Sequence, residues 1–253
     1  EAANDDELIA FYLHNGFSLH KRVMDGNSEL IMHLVPMVVI RCTVYNHEPY
    51  LRDCLEGFVM QQTNFPFVAI VHDDASTDGS AAIIREYEEK YPHIFKPIYE
   101  TENQYSKRDG SLDRIMDEAI NATGAKYVAI CEGDDYWIDP CKLQKQVDIL
   151  EQNENLSICV SRVQAVSKTK EETGWLLPYD GVLSQGEFSL EDFCRLEWGG
   201  MEWIFHYNSF VSKKEFYRDQ LNVHAMKQFP YTDITLLLYC LLHGNGYYIP
   251  EIM

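Results

Sequence analysis

Between Pro36 and Asp135 short apolar runs alternate with amphipathic stretches, and this alternation limits the fold more than any other feature of the chain. Met37-Val38-Val39-Ile40-Arg41-Cys42 is apolar and β-branched, and it breaks at Thr43-Val44-Tyr45-Asn46. Pro49 to Gln62 follows, with Leu51, Cys54, Leu55, Phe58 and Val59 on one helical face. Phe67 to Val71 reads as a second strand ending in His72-Asp73-Asp74, and Thr77-Asp78 then lead into a helix from Ser80 to Tyr91. A third strand fits Phe95 to Glu100, a helix fits about Leu112 to Ala122, and a fourth strand fits Tyr127 to Cys131. A βαβαβαβ order implies an α/β fold, a single mainly parallel central sheet flanked by helices. Nearly continuous apolar strands suit it, because parallel strands are covered on both faces.

Open parallel sheets bind ligands at the carboxyl ends of their strands. Three of the four strands end in polar clusters: Thr43-Val44-Tyr45-Asn46, His72-Asp73-Asp74-Ala75-Ser76 and Glu132-Gly133-Asp134-Asp135. The last places three carboxylates within four residues. Like charges so crowded repel unless a cation lies among them. Mg²⁺ and Mn²⁺ prefer oxygen ligands and often share them with a phosphate.

The formal net charge of −19 argues against nucleic acid as a partner, since its phosphates are met by clustered Lys and Arg. It argues equally against broad electrostatic adhesion to an anionic membrane, leaving peripheral association to a local patch. Seven cysteines without paired spacing read as free thiols in a reducing compartment. No run reaches the roughly 18 apolar residues of a spanning helix.

Asp5 to Met24 has an acidic start and a basic end, which suggests a helix, and 1–35 reads as an N-terminal helical extension. Beyond a helix at Pro140 to Gln152, Ser161 to Gln185 is polar and irregular. Glu187 to Leu196 suggests a helix, Trp203 to Ser212 a strand, and Tyr231 to His243 an apolar helix opening near Asp233. No linker or repeat marks a second domain after Pro36.

The chain resembles the family 2 glycosyltransferases of the GT-A fold, of the type that builds bacterial capsule, exopolysaccharide or lipopolysaccharide. The matching blocks are Val38 to Glu48 (VVIRCTVYNHE), His72 to Ser80 (HDDASTDGS), Glu132 to Trp137 (EGDDYW) and Tyr231 to Leu236 (YTDITL), in the family's order. The resemblance implies a metal-dependent inverting transfer from a nucleotide-diphosphate sugar, UDP-linked, to a glycan or lipid-linked acceptor. It also implies a donor half over about 36–139, an acceptor half over about 140–253, and a cytoplasmic location at the inner face of the membrane. The chain opens on Glu1 rather than Met and closes at Met253, where relatives commonly continue, so it reads as trimmed.

In that frame, backbone around Thr43 and Tyr45 faces the nucleobase, Glu48 reaches ribose hydroxyls, and Asp74 accepts from uracil N3–H. Asp78 reads better as a helix cap. Asp134 takes the place of the last Asp of the family's Asp-x-Asp and is the Mn²⁺ or Mg²⁺ ligand. Glu132 replaces the first Asp, Gly133 lies between them, and Asp135 supports the loop or touches the donor sugar, while Tyr136-Trp137 pack as its floor. Lys107, Arg108 and Arg114 all stand where the family carries a cation near the diphosphate, and the sequence does not choose among them. Asp233 matches the base that takes the acceptor's proton. The alternative is a non-catalytic GT-A domain that binds a nucleotide sugar or glycan.

Overall fold

The computed structural model describes residues 17–24, 27–198, 204–225 and 232–253. Phe17–Met24 (β1) and Asn27–Leu34 (β2) pair antiparallel as a separate two-stranded sheet, in register from Phe17 opposite Leu34 to Met24 opposite Asn27. A strand therefore stands where the sequence suggests the end of a helix. Charge placement pointed to a helix there, but Phe17, Leu19 and Val23 alternating with Ser18, His20 and Arg22 have the period of a strand. The rest of the expected helix, 5–16, lies outside the described residues.

The main sheet begins with Val38–Val44 (β3), Phe67–Asp73 (β4), Phe95–Tyr99 (β5) and Tyr127–Ile130 (β6), all parallel, in the order β5-β4-β3-β6. Glu48–Val59 (α1), Ser80–Lys90 (α2) and Ser111–Ala122 (α3) make the crossovers. Along β3, Val38, Ile40, Cys42 and Val44 join the core beneath α1 and α2, while Val39 joins that beneath α3. Leu51, Cys54, Leu55 and Phe58 of α1 are buried at helical spacing, so period two on the strand meets period 3.6 on the helix. Pro49 in the first turn of α1 fixes a helical φ where no backbone donor is needed.

The second half continues the same sheet. Lys142–Gln152 (α4) leads to Leu156–Val166 (β7), and Val211–Lys213 (β10) lies antiparallel between β6 and β7. Asn245–Ile252 (β11) runs parallel to β7, and Gly186–Phe188 (β9) closes the edge antiparallel to β11. Glu172–Leu177 (β8) folds back on β7. Leu190–Trp198 (α5), Lys214–Ala225 (α6) and Thr232–His243 (α7) complete the elements, with Phe193, Tyr217, Leu236, Leu237 and Cys240 in the second core. The sheet is mixed but mainly parallel, as expected.

Three expectations change here. The polar stretch over 161–185 holds the end of β7 and all of β8, an exposed ribbon with no core pattern to read. The helix expected from Glu187 begins at Leu190. Ser189 and Asp192 fix that start, since each side chain accepts the other's backbone N–H. The strand expected over Trp203 to Ser212 is confined among the described residues to β10, and Tyr207–Ser209 is a 3₁₀ turn. The Asn208 side chain accepts from Glu132 N–H and donates to the Asp135 carboxylate, and the Ser209 carbonyl accepts from the Lys142 and Gln146 side chains, instead of joining a ladder. All seven cysteines are free.

Candidate functional site

The registers Val44 opposite Asp73 and Arg41 opposite Ile130 bring the carboxyl ends of β3, β4 and β6 together. The loops after β3 and β4 are laced to each other. Asn46 N–H donates to Ser76 Oγ at 3.0 Å, His47 N–H to Ser80 Oγ at 3.0 Å and Glu48 N–H to Asp78 Oδ2 at 3.1 Å. In return, Thr77 N–H donates to Asn46 Oδ1 at 2.8 Å and Gly79 N–H to Glu48 Oε2 at 2.7 Å. Amides at the starts of α1 and α2, which have no partner within their helices, are thus satisfied across the loop pair. Asp78 caps α2 as expected, its Oδ1 accepting from Ser80 N–H at 2.9 Å. Glu48 has one oxygen engaged by Gly79, and Tyr45 is exposed.

Asp74 is buried, and its two oxygens accept from the backbone N–H groups of Gln104 at 2.6 Å and Tyr105 at 3.0 Å. It therefore anchors the segment carrying Lys107 and Arg108, which leads on to Arg114 in α3, and each oxygen keeps a second lone pair. The three candidate cations differ. Lys107 Nζ donates to Gln104 Oε1 at 2.9 Å and lies 3.3 Å from Glu102. Arg114 donates to Asp109 O at 2.8 Å and to Ser111 Oγ at 3.0 Å. Arg108 sits in left-handed backbone at φ 53° and its guanidinium has no partner among the described residues.

The acidic loop after β6 divides its labour. Glu132 Oε1 accepts from Arg41 Nη1 at 2.6 Å, and its Oε2 accepts from Thr43 Oγ1. Burial pushes the Glu132 carboxyl up, and Arg41 opposes that. Asp135 accepts from Asn208 Nδ2, and burial raises it too, with His206 opposing. Asp134 differs from both: its side chain is 51 % exposed and accepts no hydrogen bond among the described residues, and His47 Nε2 lies 4.0 Å from its Oδ2. Gly133 donates its N–H to Thr43 O at 3.0 Å. A Cβ on Gly133 would lie 2.8 Å from Val44 Cγ2 and 2.9 Å from His47 Nδ1, so only glycine lets the loop lie this close to β3.

Below the loop, the buried Cys54 and Cys131 thiols donate to its carbonyls, at 3.5 Å and 3.8 Å to Glu132 O. Burial raises both thiols, so they stay protonated donors. Trp137 packs on Phe58 with ring centroids 5.1 Å apart and donates to Asn208 O, making the floor expected of it.

Two contributors were not picked out from the sequence. Arg41 sits in the middle of an apolar strand, and its partners are 91 residues away at Glu132 and 176 away at Tyr217, whose hydroxyl takes Nε–H at 2.9 Å. Asn208 holds both Glu132 N–H and the Asp135 carboxylate. A charge breaking an apolar strand was the available signal for Arg41; nothing local marked Asn208. The structure brings Thr43, Gly133 and the three carboxylates into one cluster, with Asp74 just beyond the neighbouring strand β4 and bonded to the 103–108 segment that follows β5. Asp233 stands elsewhere, half-buried near the start of α7, lining a small cleft with Phe193, Ile204, Phe205 and Phe210. Phe210 in that cleft accepts from Ile130 N–H at 3.2 Å, at the end of the strand that leads into the acidic loop.

Asp134 fits a divalent cation: a free, exposed carboxylate beside an imidazole. No cluster of three or more ligating side chains occurs among the described residues, so oxygens of a bound diphosphate would have to complete the shell.

Residues 40–196 match the family model described as Glycosyl transferase family 2, more than half of the chain. An uncharacterized protein of Mycobacterium tuberculosis is 40% identical over 122 residues, covering 48% of this chain and 34% of that protein. The Bacillus subtilis protein named "Putative glycosyltransferase EpsH" is 32% identical over 124 residues, covering 49% of this chain and 33% of its own length. The matched stretch thus spans about a third of each of these relatives. Among solved structures, Staphylococcus aureus TarS 1–349 in complex with UDP superposes with a TM-score of 0.61 at 16% identity, over 85% of this chain and 58% of that one. The mannosyltransferase PcManGT of Pyrobaculum calidifontis, in complex with GDP-Man and Mn²⁺, gives 0.54 at 18% identity, over 86% and 55%.

Proposed function

Because the chain belongs to glycosyl transferase family 2, we propose that it is a metal-dependent inverting glycosyltransferase that moves a sugar from a nucleoside diphosphate, UDP for preference, to a glycan or lipid-linked acceptor in cell-surface polysaccharide synthesis. The observation that carries this reading is the Asp134 carboxylate, exposed and unbonded at the end of a parallel strand while its neighbours are engaged. A Mn²⁺ or Mg²⁺ ion at Asp134 would neutralise charge on the departing diphosphate. The chain's own residues do the rest. The laced loops at Tyr45 and Glu48 receive the nucleoside, and Asp74 holds the 103–108 segment against it, with Arg108 as the unengaged cation for phosphate oxygens. Asp233 takes the acceptor hydroxyl's proton as that oxygen bonds to the anomeric carbon, and the carbon–phosphate-oxygen bond breaks with its electron pair on the diphosphate. No helix among the described residues is long and apolar enough to cross a membrane. A peripheral location at the cytoplasmic face is proposed from the family resemblance alone.

The test uses a panel of nucleotide sugars with Mn²⁺, followed by release of free nucleoside diphosphate and by thermal shift. Asp134→Ala is expected to lose both the metal-dependent stabilisation by donor and turnover. Asp233→Asn is expected to keep that stabilisation while turnover falls about 10²- to 10⁴-fold. Turnover indifferent to chelation and to Asp134→Ala would refute the metal reading, and full activity in Asp233→Asn would put the base elsewhere.

A further inference from the structure

His47 is used by the fold only through its backbone. Its N–H donates to Ser80 Oγ and its carbonyl accepts the first helical bonds of α1, from Tyr50 and Leu51, at 2.9 Å each. The ring plays no part in this. Nδ1 is buried without a hydrogen-bond partner, and Nε2 lies 4.0 Å from Asp134 Oδ2, beyond hydrogen-bond reach. No hydrogen bond holds the ring among the described residues: the buried Nδ1 has none, an exception among buried polar atoms, and Nε2 is left free on the side that faces Asp134. The surroundings fix where it sits. Gly133, with no Cβ, admits the ring edge against the acidic loop, where any larger residue would meet Nδ1 at 2.9 Å. The ring therefore lies between the start of α1 and the carboxylate that no other side chain engages.

We propose that His47 Nε2 is a second protein ligand for the divalent cation, alongside Asp134. This rests on the metal-dependent reading above and deepens it. Divalent ions bind imidazole nitrogen and carboxylate oxygen at about 2.0–2.2 Å. One ion can therefore touch both atoms across the observed gap with little movement of either. A nitrogen ligand also has a consequence for metal choice. Imidazole favours transition ions, whereas Mg²⁺ keeps to oxygen. His47 thus selects Mn²⁺ over Mg²⁺, and among the described residues that selection is concentrated in one side chain.

The experiment is pulsed electron paramagnetic resonance on the full chain with Mn²⁺ and UDP, which reads the nuclei bonded to the ion independently of turnover. The expected result is a ¹⁴N coupling of a directly bound imidazole in the wild type that is absent in His47→Ala. In that variant Mn²⁺ still binds, more weakly by about tenfold, and the Mn²⁺-over-Mg²⁺ preference falls. No side-chain hydrogen bond is lost in the substitution, so an unchanged melting temperature without metal is expected. Bound Mn²⁺ without ¹⁴N coupling in the wild type, or coupling that persists in His47→Ala, would overturn the proposal and leave the metal reading standing. Failure of Mn²⁺ to bind the wild type at all would overturn both.

Discussion

At the scale of single residues, the centre of the site holds an ion pair between the buried Arg41 and the Glu132 carboxylate, whose side chain is 29 % exposed. The Glu132 side chain turns inward. Its oxygens meet Arg41 and Thr43 on β3, and Arg41 is itself fixed by the Tyr217 hydroxyl on α6. Burial would lower the Arg41 pKa, but Tyr217 and Glu132 together hold it above its ordinary value, so it stays charged. Removing one member of a buried pair leaves the other uncompensated, at a cost of about 3–5 kcal/mol, whereas removing both can be nearly neutral. Glu132→Leu, which strands the buried Arg41, is therefore expected to lower the unfolding free energy by up to about that amount in urea titrations, and Arg41→Met with Glu132→Leu to recover most of it. Equal losses in the single and double variants would mean that the two side chains are not energetically coupled. The cluster of carboxylates was legible in the sequence because its members are consecutive. Their different roles were not, because the partners that distinguish them are 91, 89 and 73 residues away.

At the scale of elements, the first half of the sheet could be read and much of the second could not, for a physical reason. β3 to β6 are buried on both faces and alternate with amphipathic helices, so composition and period agree. β8 and the end of β7 are exposed, β9 and β10 are three residues each, and α6 and β11 carry mixed polar patterns. Lys142, at the start of α4, is such a mixed signal. It looks like a surface lysine in sequence, yet it is fully buried, donating to Gln146 Oε1 at 2.6 Å and to Ser209 O at 3.2 Å, with Nζ 5.1 Å from the Trp137 ring. Burial pushes it down to about 8 from 10.5. A lysine depressed on folding holds fewer protons than in the unfolded chain between those values. Stability therefore rises as pH climbs through that window, and the full penalty is present below about 8. The penalty is on the order of 3 kcal/mol at one pKa unit per 1.36 kcal/mol. Wild type minus Lys142→Met, compared by denaturant unfolding from neutral pH upward, is expected to show that slope. The difference cancels the Cys54 and Cys240 thiols, which do not feel Lys142, but keeps a contribution from Cys131 and Cys159, which Lys142 lowers. A pH-independent difference would mean that Lys142 stays charged when folded.

At the scale of the whole molecule, a net charge of −19 surrounds a site whose substrate would itself be anionic. The field that repels a diphosphate also gathers divalent cations, and of the two side chains proposed to hold the cation only Asp134 carries a formal negative charge. Much of the cation's affinity is then expected to come from charges well outside the site. Such distant charges are felt only within a screening length of about 30 Å at 0.01 M salt and about 8 Å at 0.15 M. Mn²⁺ affinity is therefore expected to fall several-fold between those two salt concentrations, read from free Mn²⁺ by electron paramagnetic resonance without nucleotide. His47→Ala is expected to shift the whole curve to weaker binding and leave its slope unchanged, since a neutral ligand adds nothing to the long-range field. Salt-independent affinity in the wild type would mean that the two ligands hold the ion unaided. A slope that flattens in His47→Ala would mean that the substitution had disturbed the acidic loop as a whole and not just one bond to the metal.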